Sequence, residues 1–426
     1  MPNGFSTSGT YRPKLFTALA EGYSVERFRK DVLAALTVAV VALPLSMAIA
    51  VASGVTPARG LYTAIIGGAL VSALGGSRFQ IGGPAGAFIV LVAATVARFG
   101  IEGLLLTVLL SGAMLTLLGL FRIGSLIRHI PHGVTVGFTF GIAVTIAASQ
   151  LKDLAGLKLH GSEPGPFFPK MAALFEALPS FSPVALLVGG LSALVIFELR
   201  RARPTWPGML IAVVLASVAS FLFHLPIETI GTKFGGIPHG LLWPSLPVFS
   251  WPLVIQVLPT ALSFTLLGGI ESLLSAKVAD GMTARFHRSN MELIAQGVAN
   301  MVSAMFGGIS VTGTIARTAT NIRAGAQTPL SGILHSLFLL MFMMVAAPLA
   351  SYIPLAALAG VLIVVAWNMA EKEEFAALLR DWRTAVVLLA TFLLTLTRDL
   401  TAGIVGGCVL ALIFHLISRR ERRLPE

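Results

Sequence analysis

Two arginines stand in a stretch of the chain that is otherwise rich in threonine, glycine and alanine. The stretch covers residues 307–329 and reads GGISVTGTIARTATNIRAGAQTP, with Arg317 near its centre and Arg323 close behind. Long apolar segments flank it on both sides. An arginine at membrane depth costs roughly a few kcal/mol or more unless it faces a cavity or a partner, so it marks a functional site. We therefore expect Arg317 to contribute its charge to an anion site.

Two apolar segments, residues 84–96 and 312–322, are too short to cross a bilayer alone, which takes about 20 helical residues. Each follows an extended, glycine-containing stretch, RFQIGG before Pro84 and GGISV before Thr312. Non-helical backbone is tolerated at membrane depth only where protein or a water-filled cavity satisfies its hydrogen bonds. We therefore expect the two stretches to pair with each other, with Pro84 in the first turn of one half-helix and Thr312 as N-cap of the other.

The N-termini of these half-helices are predicted to face one another near the midplane of the membrane. Each would present unpaired N–H groups and a partial positive charge, which together favour an anion. Gly83 and Gly86 would let the backbone approach a ligand closely. The alternative interpretation is that the glycines only pack helices and that Arg317 snorkels to the membrane surface.

A carboxylate, Glu271, lies within the apolar segment FTLLGGIESLLSAKVADGM. A carboxylate in such a place must pair, take up a proton or bind a cation. One interpretation is a coupling-ion site for H⁺ or Na⁺, formed with Ser275 and Thr312. The other is a structural ion pair with Arg317 or Lys277, and the two are compatible.

The composition of the whole chain is that of a polytopic membrane protein. Of 426 residues, 56% are hydrophobic and 12% charged, and the mean hydropathy is +0.87. The formal net charge of +11 is expected to reflect cytoplasmic loops and not nucleic-acid binding. The single cysteine, Cys408, excludes an internal disulfide, and the chain has no HExxH, GxSxG or phosphate-loop motif. We therefore predict no enzymatic activity and no cofactor beyond a coupling ion.

The apolar segments fall into two sets of seven, and an odd number requires the two sets to insert with opposite orientation. Pro44 and Gly86 recur, at one common offset, as Glu271 and Gly313. Basic residues concentrate on alternate connections, which places both termini in the cytoplasm of a multi-pass plasma-membrane protein. The predicted organisation is a cytoplasmic N-terminal arm (1–30), a first inverted repeat (31–225), an external linker (226–252), a second repeat (253–418) and a basic cytoplasmic tail (419–426).

Four motifs together resemble the SulP anion transporters, a family that includes bacterial sulfate permeases, cyanobacterial bicarbonate transporters and prestin. They are DVLAALTVAVVALPLSMAIAVASGVTPARGLYTAIIGG, GGSRFQIGGPAGAFIVLV, GGIESLLSAKVADGM and GTIARTATNIRAGAQTP. The resemblance implies an all-α membrane fold with 14 transmembrane segments in a seven-plus-seven inverted repeat, shared with uracil permeases. It also implies a homodimer in which a core domain (spans 1–4 and 8–11) moves as an elevator against a gate domain (spans 5–7 and 12–14).

The same resemblance implies a set of site residues. The substrate seat falls on two backbone segments, on Arg317 and on two positions of the first span: Ala85, Gly86 and Ala87; Thr312, Gly313 and Thr314; Leu45 and Ile49. Leu45 and Ile49 replace the Gln or Glu and the aromatic residue common in the family, which makes the site less polar. Glu271 matches the acidic position of the sodium site in the bicarbonate transporters.

Several alternatives follow from the same residues. The implied substrates are sulfate, bicarbonate, chloride, oxalate or a dicarboxylate, moved by exchange or with H⁺ or Na⁺. An uncoupled anion channel or a voltage-responsive protein of the prestin type would need the same anion seat. A nucleobase permease is disfavoured, because it would want a carboxylate where Arg317 stands. Most members continue into a cytosolic STAS domain, and this chain is expected to be a membrane domain without one.

Overall fold

The computed structural model describes residues 11–125, 131–159, 161, 163–164, 167–204, 206–398 and 400–421. Residues 1–10 of the predicted N-terminal arm and residues 422–426 of the predicted basic tail lie outside the described ranges. The rest is helical apart from two short strands, so the predicted class of helical membrane protein is confirmed.

The first half of the chain contains strand β1 (Gly82–Gly83) and these helices: α1 (Lys14–Ala20), α2 (Val25–Ala52), α3 (Pro57–Tyr62), α4 (Gly68–Leu74), α5 (Ile89–Leu120), α6 (His132–Ala155), α7 (Phe167–Glu176), α8 (Pro183–Ala202) and α9 (Gly208–Phe223). The second half contains strand β2 (Thr312–Gly313) and these helices: α10 (Ile230–Phe234), α11 (Trp251–Thr283), α12 (Ser289–Met305), α13 (Ile315–Arg323), α14 (Leu330–Ala350), α15 (Leu355–Met369), α16 (Lys372–Leu378), α17 (Trp382–Thr397) and α18 (Leu400–Glu421).

Within the described ranges, 8 helical segments are long and apolar enough to cross a membrane, and three shorter apolar helices accompany them. One long segment, Gly86–Leu120, joins the third and fourth predicted spans. Its backbone leaves the helical conformation at Gly100, where φ is 67° and ψ is −172°. Glycine adopts this positive φ without steric cost, so the segment can bend there. The count of 14 spans stays a prediction.

Both predicted helix starts are wrong by a few residues. The first half-helix begins with a 3-10 turn at Gly86–Phe88, preceded by Ala85 in an extended conformation, so Pro84 lies outside the first turn. The second begins at Ile315 with Thr314 at the N-cap position. Thr312 belongs to β2 instead, because its backbone pairs with Gly83.

The segment from Pro57 to Leu74 is interrupted by a π-helical turn at Thr63–Gly67. The hydroxyl of Ser336 on α14 donates to the carbonyl of Ala64 in this turn, at 3.3 Å. Single π-helical turns inside α-helices occur often at functional sites. This one lies beside β1, which packs against it.

The helices pack into two groups. Helices α2–α5 and α11–α14 contact mainly one another, and helices α6, α8, α9, α15, α17 and α18 form the second group. Between the groups, α2 contacts α15 and α9, and α6 contacts the 3-10 turn at Gly86–Phe88. The predicted repeat and domain boundaries stay predictions.

Two fully buried carboxylates cap the turns that bracket the strands and α13. Glu292 accepts hydrogen bonds from the backbone N–H groups of Gly76 and Ser77, at 2.8 and 3.0 Å, in the turn before β1. Asp31 accepts from the N–H groups of Gln327 and Thr328, at 2.7 and 3.1 Å, in the turn after α13. Each carboxylate supplies acceptors that a buried turn would otherwise lack.

Replacing Glu292 with alanine should destabilise the fold. The substitution leaves two buried N–H groups without an acceptor, at roughly 1–3 kcal/mol for each. We expect Glu292→Ala to lower the thermal unfolding midpoint of the purified protein in detergent. The matched control is Glu26→Ala, which removes an exposed carboxylate paired with Lys30. Equal midpoints for the two variants would contradict the capping role.

Candidate functional site

The two half-helices start from one short antiparallel ladder, as the sequence predicts. Gly82 lies opposite Gly313, and Gly83 lies opposite Thr312. Just beyond the ladder, Thr314 donates both its N–H and its hydroxyl to the carbonyl of Ile81, at 3.0 and 3.2 Å. The starts of α13 and of the turn at Gly86–Phe88 are therefore held next to each other.

Side chains satisfy the extended backbone that the ladder leaves unpaired. On the β1 side, Thr318 accepts from the N–H of Ile81 at 3.1 Å, and Asn321 donates to the carbonyl of Phe79 at 2.9 Å. On the β2 side, Asn300 accepts from the N–H of Val311 and donates to its carbonyl, at 2.9 and 2.8 Å. This meets the requirement that non-helical backbone at membrane depth be bonded within the protein.

Arg317 is in the first turn of α13 and is 1% exposed. Its Nη2 donates to the hydroxyl of Ser46 at 3.1 Å and to the carbonyl of Pro84 at 3.4 Å. Its Nε and Nη1 have no hydrogen-bond partner among the described residues, and no described carboxylate forms an ion pair with it. The snorkelling alternative is wrong, since the guanidinium points into the protein.

Two ladder glycines leave space that neighbouring polar side chains occupy. A Cβ on Gly83 would lie 2.3 Å from Nη1 of Arg317, so the absence of a side chain at Gly83 makes room for the guanidinium. A Cβ on Gly313 would lie 1.3 Å from Nε2 of Gln80, whose amide donates to the carbonyl of Ser272 at 3.0 Å. The small residues thus let polar side chains reach the centre of the protein.

The first half-helix brings its predicted seat residues to the boundary between the two helix groups. Ala85, Gly86 and Ala87 are all buried. A Cβ on Gly86 would lie 3.1 Å from Cδ1 of Ile146 on α6 and 3.6 Å from Sδ of Met369 on α15. The seat therefore has walls from both groups.

The first span contributes one polar contact that sequence reasoning missed. Leu45 and Ile49 are buried on α2, as apolar residues of the core. Ser46, between them, is the residue that bonds Arg317. The only signal in the sequence is a serine directly after Pro44 and Leu45 in an otherwise apolar segment.

The predicted coupling residues come together only in part. The hydroxyl of Thr312 lies 2.8 Å from that of Ser272, and the hydroxyl of Ser275 donates to Thr318 at 3.3 Å. Glu271 is half-buried beside Ser272 and makes no hydrogen bond or ion pair with a described residue. The structural pairing of Glu271 with Arg317 or Lys277 is therefore wrong for this structure.

A second missed residue is His335 on α14. Its side chain is fully buried, and neither ring nitrogen has a hydrogen-bond partner among the described residues. It lies within electrostatic reach of Arg317, and its neighbour Ser336 bonds the π-helical turn beside β1. The signal in the sequence was a histidine within an apolar segment. A buried polar side chain is normally hydrogen-bonded, so one without a partner points to a functional role.

Together, Arg317 and the starts of the two half-helices form a buried and positively charged region. The start of α13 adds the partial charge of its N-terminus to the full charge of Arg317. The guanidinium keeps two N–H-bearing nitrogens free of protein acceptors. An oxyanion accepts such hydrogen bonds well, because guanidinium groups match its geometry.

Comparison with known proteins identifies the family. The profile of the Sulfate permease family matches residues 28–392. The chain therefore belongs to the sulfate permease family, and its relatives are transporters and not enzymes. The resemblance stated from the sequence motifs is confirmed.

Two curated relatives illustrate the range of this family. Putative sulfate transporter YvdB of Bacillus subtilis is 41% identical over 413 residues, covering 96% of this chain and 77% of that protein. Bicarbonate transporter BicA of Picosynechococcus sp. is 30% identical over 399 residues, covering 90% of this chain and 69% of that protein.

Solved structures share the fold. The transmembrane domain of a cyanobacterium bicarbonate transporter BicA superimposes with a TM-score of 0.81 and 29% identity, covering 90% of this chain and 98% of that chain. The overall structure of SLC26A9 gives a TM-score of 0.87 at 18% identity, covering 95% of this chain and 68% of that chain. The chain is thus a multi-pass membrane protein with this fold.

Adding one methyl group at Gly83 should disturb the site through Arg317. We expect Gly83→Ala to displace the guanidinium and to lower anion uptake in proteoliposomes by at least about tenfold, because a charged hydrogen bond contributes roughly 1.5–3 kcal/mol. The control is Gly190→Ala on α8, where a Cβ meets no atom within 4 Å. Wild-type uptake by Gly83→Ala would show that Arg317 does not need its present position.

Proposed function

We propose that this protein is a secondary transporter that binds a small oxyanion between the starts of its two half-helices, next to Arg317. The proposal rests on the burial and the hydrogen-bond partners of the Arg317 guanidinium. The guanidinium is fully buried, anchored on Ser46 and the carbonyl of Pro84, and without a carboxylate partner among the residues that the structure describes. A buried charge of this kind is stabilised when a counter-ion lies beside it.

The substrate class follows from the lining and from the relatives. Ala85, Ala87, Leu45 and Ile49 offer no polar side chain. The hydroxyls of Thr312 and Thr314 already bond Ser272 and the carbonyl of Ile81. Recognition would therefore rest on the guanidinium and on backbone N–H groups at the helix starts. Such donors suit a compact anion with several acceptor oxygens. Two curated relatives are named for sulfate and bicarbonate. We propose one of these two anions as substrate, with chloride, oxalate and dicarboxylates as further members of the test panel.

The movement that we propose is an elevator-like displacement of one helix group against the other. Ile146 and Met369 lie close to Gly86 across the boundary, where a Cβ would meet both of them, so an anion at the seat would be near residues of both groups. Displacement would change which side of the membrane the seat faces. We further propose 14 spans, cytoplasmic termini, a plasma-membrane location and a homodimer.

Coupling is assigned to Glu271. Its carboxylate is half-buried and has no partner in the described chain, while its neighbours Ser272 and Thr312 bond each other at the start of β2. A carboxylate in this position favours binding of H⁺ or Na⁺. Because Ser272 also contacts Gly313, a cation here would lie close to the anion seat.

Removing the guanidinium should abolish transport. We expect Arg317→Ala to reduce uptake of the transported anion in proteoliposomes to background, tested with a panel of sulfate, bicarbonate, chloride, oxalate and fumarate. The control is Arg323→Ala, at the exposed end of the same helix, which should transport like the wild type. Thermal midpoints of both variants check that they fold. Normal uptake by a folded Arg317→Ala protein would refute the anion seat.

Neutralising Glu271 should change the ion dependence and not the choice of anion. We expect Glu271→Gln to lose any stimulation of uptake by Na⁺ or by an inward proton gradient, while the order of preference in the anion panel stays the same. Exposed Glu26→Gln, in the first turn of α2, is the control. If Glu271→Gln keeps the wild-type Na⁺ and pH profiles, Glu271 has no part in coupling.

A further inference from the structure

A cluster of basic side chains surrounds the turn that precedes β1, away from the substrate seat. Three segments meet there: α1, the turn after α4 and the loop between α11 and α12. The N–H of Lys14 donates to the carbonyl of Gly75, and the N–H of Arg288 donates to that of Gly76, each at 2.9 Å. The positive-inside pattern assigns this face to the cytoplasm.

Cationic groups exceed acidic groups in this cluster. The charged and titratable groups that face one another are Arg12, Lys14, Glu21, Arg27, Arg78, Asp280, Arg285, His287, Arg288 and Glu292. All three carboxylates are engaged. Glu21 pairs with Arg78 and lies 3.8 Å from Arg285, and Asp280 lies 2.6 Å from His287. Glu292 accepts hydrogen bonds from the N–H groups of Gly76 and Ser77 and from the amide of Gln296. No acidic side chain in this set is therefore left for Lys14 or Arg288.

Lys14 is the most exceptional member of the cluster. Its side chain is only 8% exposed and makes no hydrogen bond or ion pair with a described residue. Burial, together with the charges of Arg288 and Arg78, lowers the pKa of Lys14 to about 8. An ammonium that faces two guanidinium groups is unfavourable unless an anion joins them.

Arg78 and Arg288 also have N–H groups that do not bond a described residue. Arg288 uses Nη1 for the carbonyl of Arg12 and the hydroxyl of Thr17, at 2.6 and 3.1 Å. The Nε atoms of Arg288 and Arg78 are buried and have no hydrogen-bond partner among the described residues. Three cationic side chains thus converge with unused N–H groups.

We propose that Lys14, Arg78 and Arg288 form a binding site for a phosphate group on the cytoplasmic face. A phosphate offers several charged acceptor oxygens, which match an ammonium and two guanidinium groups. Apolar side chains adjoin the site, since Phe16 and Leu19 on α1 are exposed. Such a helix lies in the membrane interface, where phospholipid headgroups are abundant. The phosphate group belongs either to an anionic lipid or to a free cytosolic ion.

The experiment measures binding of two probes to the purified protein in neutral detergent. One probe is phosphatidylglycerol, compared with phosphatidylcholine, and the other is inorganic phosphate at constant ionic strength. The readout is the dissociation constant from the rise in thermal midpoint. We expect at least about tenfold weaker binding in Lys14→Met, because a hydrogen bond between charged groups is lost. Without either probe, Lys14→Met should be no less stable than the wild type, since repulsion is removed.

Matched variants separate this site from the substrate seat and from general charge effects. Lys30→Met removes an exposed lysine paired with Glu26 and should bind both probes normally. Lys14→Arg keeps the charge and should also bind. Arg317→Ala should still bind both probes even though it has lost anion transport. The phosphate-site proposal and the proposed function can therefore fail independently of each other. If Lys14→Met loses binding of phosphatidylglycerol alone, the site is a lipid site. If Lys14→Met loses binding of both phosphatidylglycerol and inorganic phosphate, the site is a general phosphate site. Equal binding by the wild type and Lys14→Met overturns the proposal.

Discussion

Extended backbone at the centre of a membrane protein must find every hydrogen bond inside the protein, and this requirement shapes the whole molecule. The ladder between Gly82–Gly83 and Thr312–Gly313 supplies some of these bonds. Thr318, Asn321 and Asn300 supply others from helices on either side. Because both half-helices start at this ladder, the same bonds that satisfy the backbone also fix the distance between the helix starts.

Several features of the ladder region hold the charged side chain of Arg317 in place. The guanidinium is anchored by a serine of α2 and by the carbonyl of Pro84, and the backbone at Gly83 has no Cβ that would displace it. A buried ion without a counter-ion is costly. No carboxylate in the described ranges nevertheless pairs with it, and Glu271, the partner considered from the sequence, makes no ion pair with a described residue. An arginine kept in this condition favours an anion as its partner.

The buried carboxylates of Glu292 and Asp31 have structural roles. Glu292 and Asp31 cap the turn before β1 and the turn after α13 with backbone hydrogen bonds. Each carboxylate comes from a helix that packs against the strand region, so the turns are tied to the rest of the first helix group. Glu271 makes no such bond with a described residue, which separates it from these two and is why we propose it for coupling. The basic cluster around Lys14 contacts the same turn as Glu292, from the opposite side of the chain.

Much of this protein was determined by the sequence itself. Hydropathy defined a polytopic membrane protein, short apolar segments after glycine-rich stretches defined the half-helices, and Arg317 in the second half-helix predicted the anion seat. These features are local, because length, hydropathy and backbone preference are properties of neighbouring residues. The motifs were also specific enough to indicate the family.

Tertiary structure alone decided the partners of each polar group. Arg317 bonds Ser46, 271 residues away, and Gln80 bonds the backbone of Ser272, 192 residues away. Such distant pairs place Thr312 in a strand and not at a helix cap, bring the Arg317 guanidinium against Gly83, and bring His335 near Arg317. No local pattern carries this information, since a hydrogen bond depends on where two segments meet in space.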